Sequence, residues 1–321
     1  MGLGADGVDT VKKSGLVAFC FPGQGSLEAG MGRELAAAVP EAMDVFERSS
    51  AAAGLDLRKL CFEGTEEELV ETELQQPALV ATSLAVLAAI RARGIKPDFV
   101  VGHSVGEFAA LAASGAMKVE EAVALVRERG LAMAEAAKIN PGSMAAILGL
   151  DDEVVERICR RIANVWPANY NCPGQIVVSG RDGAVAEACE TAEQQGARRA
   201  VRLRISGAFH SPLVAKAADR FRPALDKVTF TEPAWPFMST VTAQVENAKR
   251  IAPLLVEQLT APVRFTQAAQ ALMGRGVQTW VEVGPGNVLS GLVKRIDRDA
   301  RTISVSTPEG LDRLEETLST V

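Results

Sequence analysis

The chain has 321 residues, of which 48% are hydrophobic, enough for the core of one large domain or two modest ones. Its formal net charge of −6 and isoelectric point of about 5.3 argue against nucleic acid or an anionic membrane as the main partner. The five cysteines are widely spaced and form no C-x-x-C pair, so neither a disulfide framework nor a zinc site is predicted.

The start of the chain and its apolar runs bear on location. Residues 1–13 lack the apolar core of a signal peptide. No uninterrupted apolar run approaches the roughly 20 residues that a membrane span requires. We therefore expect a soluble, cytoplasmic, monomeric protein with reduced and mostly buried thiols and no bound metal or cofactor.

The first predicted elements are a strand and a glycine-rich turn. Residues 16–21 are apolar and aromatic, which is typical of a buried strand. The turn at residues 22–26 fails as a dinucleotide fingerprint, because Glu28 stands where G-x-G-x-x-G requires glycine. Gln24 brings a side-chain amide and a main-chain N–H to this turn. An ordinary strand-to-helix connection and a donor-bearing loop are both open at this point.

Helices follow. They are predicted from residue 31 to residue 53, and again from Thr65, which forms a capping box with Glu68. Another helix opens at Gln75 with Pro77 in its first turn and is apolar nearly all round up to Ile90. A helix of that kind is expected to be buried against a sheet.

The turn at Ser104 carries the most informative motif. Residues 99–101 predict a buried strand, Gly102-His-Ser-Val-Gly106 matches G-x-S-x-G, and the alanine-rich run to residue 113 predicts a helix. So sharp a turn forces its central residue into a strained conformation and exposes the side chain. The helix N-terminus behind it offers unpaired N–H groups to a developing oxyanion. We predict that Ser104 is a nucleophile, with a purely structural turn as the alternative.

The pattern of predicted strands and helices changes at Pro141-Gly142. The elements predicted from 143 to 205 follow the order β-α-β-β-α-β, which is the split βαβ pattern of a ferredoxin-like unit. Beyond them, helices are expected at residues 212–228, 251–259 and 266–274 and near 289–295. A short strand or loop is expected at residues 237–242 and a strand at residues 279–283. Alternating strands and helices imply a mostly parallel sheet covered on both faces. The predicted fold is α/β, with a core of residues 1–142 and 206–321 and a ferredoxin-like insertion of residues 143–205.

A serine nucleophile needs a base, and the chain has two histidines. His103 directly precedes Ser104, so its side chain should point to the opposite side and serve packing. His210 lies in a loop where the insertion rejoins the core. An exposed loop histidine is the alternative, but by elimination we favour His210 as the base, since its usual pKa of about 6.5 suits proton transfer.

The G-x-S-x-G motif by itself suggests an α/β-hydrolase, whose catalytic residues follow the order Ser, Asp or Glu, His. Two features argue against an ordinary member of that class. A long stretch of chain follows His210, whereas such hydrolases usually carry the histidine near the C-terminus, and a complete subdomain separates it from Ser104.

A set of motifs recurs in this order in one family, and the chain resembles that family over about residues 17–295. The motifs are Phe21-Pro-Gly-Gln-Gly-Ser26, Gln76-Pro-Ala78, Gly102-His-Ser-Val-Gly-Glu107, Arg129-Gly130, Asn169-Tyr-Asn-Cys-Pro-Gly-Gln175, Gly207-Ala-Phe-His210 and Glu282-Val-Gly-Pro-Gly286. The family is that of malonyl-CoA:acyl-carrier-protein transacylases and the acyltransferase domains of polyketide synthases. The resemblance implies an α/β-hydrolase-like core with a ferredoxin-like insertion, as the element order also indicates.

The resemblance also implies roles for single residues. Ser104 would be acylated and His210 would be its base. Gln24 and the backbone N–H of Val105 would form the oxyanion hole, and Arg129 would bind the malonyl carboxylate, a task that suits a guanidinium fork. The backbone carbonyl of Gln258 would orient His210.

Three further positions bear on the site. Phe209 in the loop before His210, together with Val105, is typical of members that take malonyl, and a bulky Phe209 would crowd an α-methyl group. Such a pocket discriminates one methyl group by about 1–3 kcal/mol. Thr240 stands where many members have asparagine, which puts a polar role at that position in doubt.

The implied activity is transfer of a malonyl group from malonyl-CoA to the phosphopantetheine thiol of an acyl carrier protein, in fatty acid or polyketide synthesis. The alternatives are an editing-type acyl-thioester hydrolase and a non-enzymatic docking component of a synthase complex. A carrier protein is expected to be acidic. Four arginines near the end of the insertion could receive it, unless they are only a solvated face: Arg198, Arg199, Arg202 and Arg204.

Overall fold

A computed structural model describes residues 15–205 and 207–319 of the chain. The polar opening segment, residues 1–13, lies outside the described residues. Within them, the strands are β1 (Leu16–Phe21), β2 (Phe99–Gly102), β3 (Ser143–Leu148), β4 (Val165–Cys172), β5 (Gln175–Gly180), β6 (Arg199–Arg202), β7 (Phe237–Ser239), β8 (Gln244–Glu246), β9 (Val277–Val283) and β10 (Arg301–Val305).

The α-helices surround these strands, and a 3-10 turn at Pro212–Val214 precedes the tenth. They are α1 (Arg33–Ala38), α2 (Pro40–Ala53), α3 (Leu57–Glu63), α4 (Glu66–Val70), α5 (Thr72–Ala92), α6 (Gly106–Ala113), α7 (Val119–Ile139), α8 (Asp152–Arg161), α9 (Asp182–Gln194), α10 (Ala217–Leu225), α11 (Ala248–Glu257), α12 (Phe265–Gly274), α13 (Val288–Ile296) and α14 (Pro308–Ser319).

The larger sheet has the strand order β10-β9-β1-β2-β7-β8. Its pairs are parallel except for β8, which runs antiparallel to β7 at the edge. Successive side chains of β1 enter cores on opposite faces: Phe19 and Phe21 pack in the larger core, whereas Ala18 and Cys20 pack against α12 and α13. Apolar side chains on both sides of a strand are what a sheet covered on both faces requires.

The smaller sheet is antiparallel and has the order β4-β5-β3-β6. All its strands fall between Ser143 and Arg202, and α8 and α9 cover one of its faces around Ile147 and Val178. From the other face, Met144 joins the larger core. The predicted fold class, a mostly parallel α/β core with a ferredoxin-like unit, is confirmed. The division of the chain at 142/143 and 205/206 stays a prediction.

Helix α5 differs from its predicted form. It begins at Thr72 rather than Gln75, so Pro77 lies inside it. Proline cannot donate to the carbonyl four residues earlier, and Arg127 Nη1 donates to that carbonyl, Glu73 O, at 2.7 Å. Among the described residues, α5 is the one helix long and apolar enough, by length and composition, to cross a membrane, although polar residues interrupt it. However, 83% of its apolar window is buried inside the protein.

Other predicted elements also differ from the observed ones. The predicted helix at residues 212–228 is the 3-10 turn followed by α10, and the strand β10 and helix α14 were not predicted from the sequence. β10 is a five-residue edge strand with only Val305 fully buried, so its pattern is weak. The capping box of Thr65 and Glu68 is present as predicted. All five cysteines are free, and four of them are buried.

Candidate active site

Ser104 lies at the turn between β2 and α6, at the carboxyl end of the parallel sheet. Its φ of 53° is in the left-handed region, which is the strained turn that the motif predicts. A Cβ on Gly102 would lie 2.1 Å from the backbone carbon of Gly106, and a Cβ on Gly106 would lie 2.2 Å from Phe21 O. The two glycines therefore allow β2, α6 and β1 to meet closely enough to form the turn.

His210 contacts Ser104 across the site. Its Nε2 lies 2.8 Å from Ser104 Oγ, and its Nδ1 lies 2.9 Å from Gln258 O and 3.0 Å from Ala261 O. Carbonyl oxygens only accept hydrogen bonds, so Nδ1 carries the proton and Nε2 is free to accept from the serine hydroxyl. The arrangement is a serine–histidine pair in which main-chain carbonyls hold the histidine.

Burial keeps this histidine neutral. Desolvation, with a smaller contribution from the nearby Arg129 guanidinium, lowers the pKa of His210 to about 3, although its hydrogen bonds to Ala261 and Gln258 oppose the shift. A neutral imidazole at physiological pH is the form that accepts a proton. The environment thus holds His210 in the basic state that the predicted role requires.

Arg129 points into the same site from α7 and is only 1% exposed. Its Nη1 donates to Gln76 Oε1 at 2.6 Å, and its Nη2 donates to Gln258 Oε1 at 3.0 Å and to Ser104 Oγ at 3.3 Å. Its guanidinium carbon lies 5.8 Å from the centre of the Phe108 ring. Desolvation lowers the pKa of Arg129 to about 10, so it remains a cation at neutral pH.

Within residues 15–205 and 207–319, no carboxylate contacts this buried cation directly. Its hydrogen-bond acceptors are two neutral amides and a hydroxyl, and Arg129 Nε is buried without a partner. The Glu107 carboxyl group acts on Arg129 through space, not through a direct hydrogen bond. A buried charge without a directly paired carboxylate is costly, and an anion that enters the site would offset part of that cost. The site is therefore electrostatically suited to an acyl group that carries a carboxylate, placed beside the Ser104 hydroxyl.

The predicted oxyanion-hole residues both border the nucleophile. Val105 is the N-cap residue of α6, directly after Ser104. Gln24 lines the same cleft as Ser104 and His210, and its Nε2 donates to Thr72 Oγ1 at 3.2 Å. Phe209, next to His210, is buried and also lines the cleft. The structure thus brings together the residues that the sequence predicts for this site, while their catalytic roles remain predictions.

His103 does not pair with Ser104. Its Nε2 forms a 2.9 Å hydrogen bond with Asn171 Oδ1 of β4, and its ring lies 5.7 Å from that of Phe265. Burial lowers its pKa. His103 thus links the turn at Ser104 to the smaller sheet, which agrees with the packing role expected for it.

The cleft has a volume of about 550 Å³ and lies between the two sheets. Its walls come from the Gln24 turn, the end of α4 and the start of α5, while the smaller sheet contributes residues that include Met144, Val177 and Asn171. At its edge, Arg204 follows β6. Among the described residues, no group of histidine, cysteine and acidic side chains could hold a metal ion.

The four arginines near the end of the insertion are all exposed. Arg202 is already engaged, since its Nη2 donates to Asp182 Oδ1 at 2.6 Å and to Ser143 Oγ at 2.9 Å. Arg204 lines the cleft, whereas Arg198 and Arg199 do not. The cluster thus divides into one ion-paired residue, one that lines the cleft and two that do not.

Three polar residues around Arg129 were given no role by the sequence analysis: Gln76, Glu107 and Thr240. Gln76 accepts from Arg129, and Thr240 donates to Glu107 through both its backbone N–H and its hydroxyl. Glu107 carried a signal, because it is an acid in the otherwise apolar helix α6. Thr240 makes a polar contact here, since its hydroxyl donates to Glu107 Oε1 at 2.8 Å.

Comparison with known proteins identifies the class to which this fold and site belong. The chain belongs to the acyl transferase domain family, whose model matches residues 18–313. The malonyl CoA-acyl carrier protein transacylase of Bacillus subtilis is 45% identical over 307 residues, which cover 94% of this chain and 97% of the relative. That of a Staphylococcus aureus strain is 39% identical over 297 residues, which cover 91% and 96%.

Solved structures agree with the sequence comparison. The malonyl CoA-acyl carrier protein transacylase of Coxiella burnetii superposes with a TM-score of 0.92 at 38% identity, over 95% of this chain and 98% of that one. A malonyl-transacylase solved in complex with a type II polyketide synthase acyl-carrier protein gives a TM-score of 0.91 at 37% identity, over 94% and 99%. These findings confirm the resemblance seen in the sequence.

Proposed function

We propose that this protein transfers a malonyl group from malonyl-CoA to the phosphopantetheine thiol of an acyl carrier protein, through an ester on Ser104. The observation that carries the proposal is the buried Arg129 guanidinium, which lies 3.3 Å from the Ser104 hydroxyl and, in the part of the chain that the structure describes, has no carboxylate in contact. A general serine hydrolase has no need of such a cation, but an enzyme that takes an acyl group ending in a carboxylate does. The names of the relatives at 45% and 39% identity support the same activity.

In the first half-reaction, Ser104 Oγ attacks the thioester carbonyl of malonyl-CoA and its proton passes to His210 Nε2. The 2.8 Å contact between these atoms supports the transfer. The tetrahedral oxyanion would be stabilised by the backbone N–H of Val105 and the amide of Gln24. When the intermediate collapses, the carbon–sulfur bond breaks, and the CoA thiolate leaves with the proton from His210.

The second half-reaction reverses these steps with a different thiol. The phosphopantetheine thiol of the carrier protein gives its proton to His210 Nε2 and its sulfur attacks the ester carbonyl. The carbon–oxygen bond to Ser104 breaks, and Ser104 Oγ regains the proton. Because one site serves both thiols in turn, the kinetics should be ping-pong.

Arg129 would hold the malonyl carboxylate throughout. A bidentate guanidinium–carboxylate pair fixes both the position and the orientation of the acyl group, and the Phe108 ring, 5.8 Å from the guanidinium carbon, gives the cation a further contact. Phe209 would limit the space beside the α-carbon of the acyl group and so favour malonyl over its α-methyl analogue.

The carrier protein is the proposed macromolecular partner, and the solved complex of a similar malonyl-transacylase with an acyl-carrier protein supports it. We propose that Arg198 and Arg199 contribute to its docking, because they are exposed basic residues at the start of β6, the strand that leads to the cleft residue Arg204. We further propose that the protein acts as a monomer in the cytoplasm, without a cofactor.

Mass spectrometry of the intact protein tests the function. Incubation with malonyl-CoA should add one malonyl group, mapped to Ser104, and a carrier protein with its phosphopantetheine arm should then remove it. S104A should acquire no malonyl group. If water removed the group faster than the carrier protein did, the chain would be a hydrolase, and if no group were added, it would not be this enzyme.

A further inference from the structure

Glu107 is a fully buried acid close to the nucleophile, three residues after Ser104 in the first turn of α6. Its Oε1 accepts from the backbone N–H of Thr240 at 2.5 Å, from Thr240 Oγ1 at 2.8 Å and from Ser239 Oγ at 3.3 Å. Its Oε2 accepts from Gln258 Nε2 at 2.5 Å. A carboxyl group is costly to bury, so packing alone does not explain an acid at this position.

The partners define the ionic form of Glu107. A backbone N–H and an amide NH₂ can only donate, and one of them faces each oxygen of the carboxyl group. Both oxygens therefore accept, as a carboxylate does, and a carboxyl O–H would face another donor. Burial raises the pKa of Glu107, while the hydrogen bonds from Thr240, Gln258 and Ser239 oppose that shift.

Gln258 connects this carboxylate to the reacting groups. Its Nε2 donates to Glu107 and also to the backbone carbonyl of Ser104 at 3.1 Å. Its Oε1 accepts from Arg129 Nη2 at 3.0 Å. The two ends of the amide are not interchangeable. Turned over, Gln258 would set its NH₂ against the Arg129 guanidinium and its oxygen against two oxygen acceptors.

We propose that Glu107 is a positioning residue for acyl selection: it holds the Gln258 amide in the one orientation that presents an oxygen to Arg129 and a donor to the Ser104 carbonyl. In this arrangement Glu107 touches neither substrate nor nucleophile side chain. Through Gln258 it positions the Arg129 guanidinium beside Ser104 Oγ and stabilises the strained turn at the nucleophile. The inference rests on the proposed function, because it assigns Arg129 to the malonyl carboxylate.

The substitution E107Q removes the charge with little change in shape, and its effect follows from the donors. The introduced amide must direct its NH₂ either at the Thr240 side or at Gln258. The Thr240 N–H belongs to the main chain and cannot rotate away, whereas the Gln258 side chain can. The new NH₂ therefore faces Gln258, which turns over and presents a donor to Arg129.

The experiment compares kcat/KM for acylation by malonyl-CoA with kcat/KM for acylation by acetyl-CoA, which lacks the carboxylate. E107Q should lower the malonyl-to-acetyl ratio by about fivefold or more, the effect of one misplaced hydrogen bond. Q258L, which removes the amide and keeps the backbone carbonyl for His210, should lower the ratio similarly. The double variant should show no loss beyond that of Q258L, because Glu107 acts through Gln258.

A matched control separates this role from stability. Glu282 is also fully buried and accepts from the backbone N–H groups of Leu289 and Ser290 at 2.9 and 2.8 Å. E282Q should lower the thermal midpoint and leave the ratio unchanged, since a purely structural change scales both substrates alike.

The inference and the proposed function fail in different ways. Wild-type protein that acquires no malonyl group on Ser104 would refute the function. If the wild-type protein prefers malonyl-CoA and E107Q has the same malonyl-to-acetyl ratio, only the role of Glu107 is overturned. The role is also overturned if the losses in E107Q and Q258L multiply in the double variant. If E107Q does not fold, Q258L decides, because a wild-type ratio in that variant overturns the proposal.

Discussion

Ser104 and His210 share a left-handed backbone conformation, with φ of 53° and 56° respectively, and their side chains meet at 2.8 Å. The left-handed region costs a residue with a Cβ about 1–2 kcal/mol. Both members of the pair thus carry backbone strain at the point where they contact each other, and the surrounding fold supplies the energy that maintains it.

This strain predicts an unusual order of stability at position 104. S104G relieves the strain, and the greater freedom of glycine in the unfolded chain offsets only about 0.5–1 kcal/mol of that gain. S104G should therefore be more stable than S104A by up to about 1 kcal/mol, measured by chemical unfolding. Ser49, inside α2, provides the control. In this helix, S49A should be more stable than S49G by about 1 kcal/mol.

The pH dependence of acylation should reflect the buried histidine. Because burial lowers the pKa of His210 to about 3, its Nε2 stays unprotonated far below pH 6.5. The value of kcat/KM for malonyl-CoA should stay level between about pH 7 and pH 5, and it should fall only as the pH nears the lowered pKa. A decline centred near pH 6.5 would show an exposed, ordinary histidine instead. Between about pH 6.5 and the lowered pKa, His210 binds a proton in the unfolded chain and not in the folded protein. A fall in pH below 6.5 therefore also lowers the stability of the folded protein.

Arg129 should control which acyl group is accepted. R129A removes a charge-assisted bidentate contact, so kcat/KM for malonyl-CoA should fall by about 100-fold or more, whereas acylation by acetyl-CoA should change far less. R129K keeps the charge without the fork and should recover only part of the loss. Equal effects on the two substrates would remove Arg129 from carboxylate binding.

Docking of the carrier protein should depend on the exposed arginines at the start of β6, Arg198 and Arg199. The double variant R198E/R199E should raise KM for an acidic carrier protein by about threefold or more and weaken its salt dependence, because rim charges act mainly on encounter. The KM for malonyl-CoA should not change. The double variant R58E/K59E, on α3 and outside the cleft lining, provides a charge-matched control. A parallel rise in both KM values would place these arginines at the CoA site rather than at a protein interface.

The local features of this protein followed from its sequence because each depends on neighbouring residues. The turn at Ser104 needs only a strand, two glycines and a helix in succession, and the capping box of Thr65 and Glu68 is complete within four residues. The β-α-β-β-α-β order likewise identified the smaller sheet. The edge strand β10 escaped prediction because a short, partly exposed strand lacks a distinct hydrophobic pattern.

Tertiary structure alone decided the electrostatic design of the site. Arg129, Glu107 and Gln258 lie on three different helices or their ends, and Gln258 is 151 residues from Glu107 and 129 from Arg129. Sheet order and helix packing bring them together, and no local pattern encodes such distances. The sequence by itself determined the nucleophile's turn, whereas the fold decided that a buried cation, held through an amide by a buried carboxylate, stands beside it.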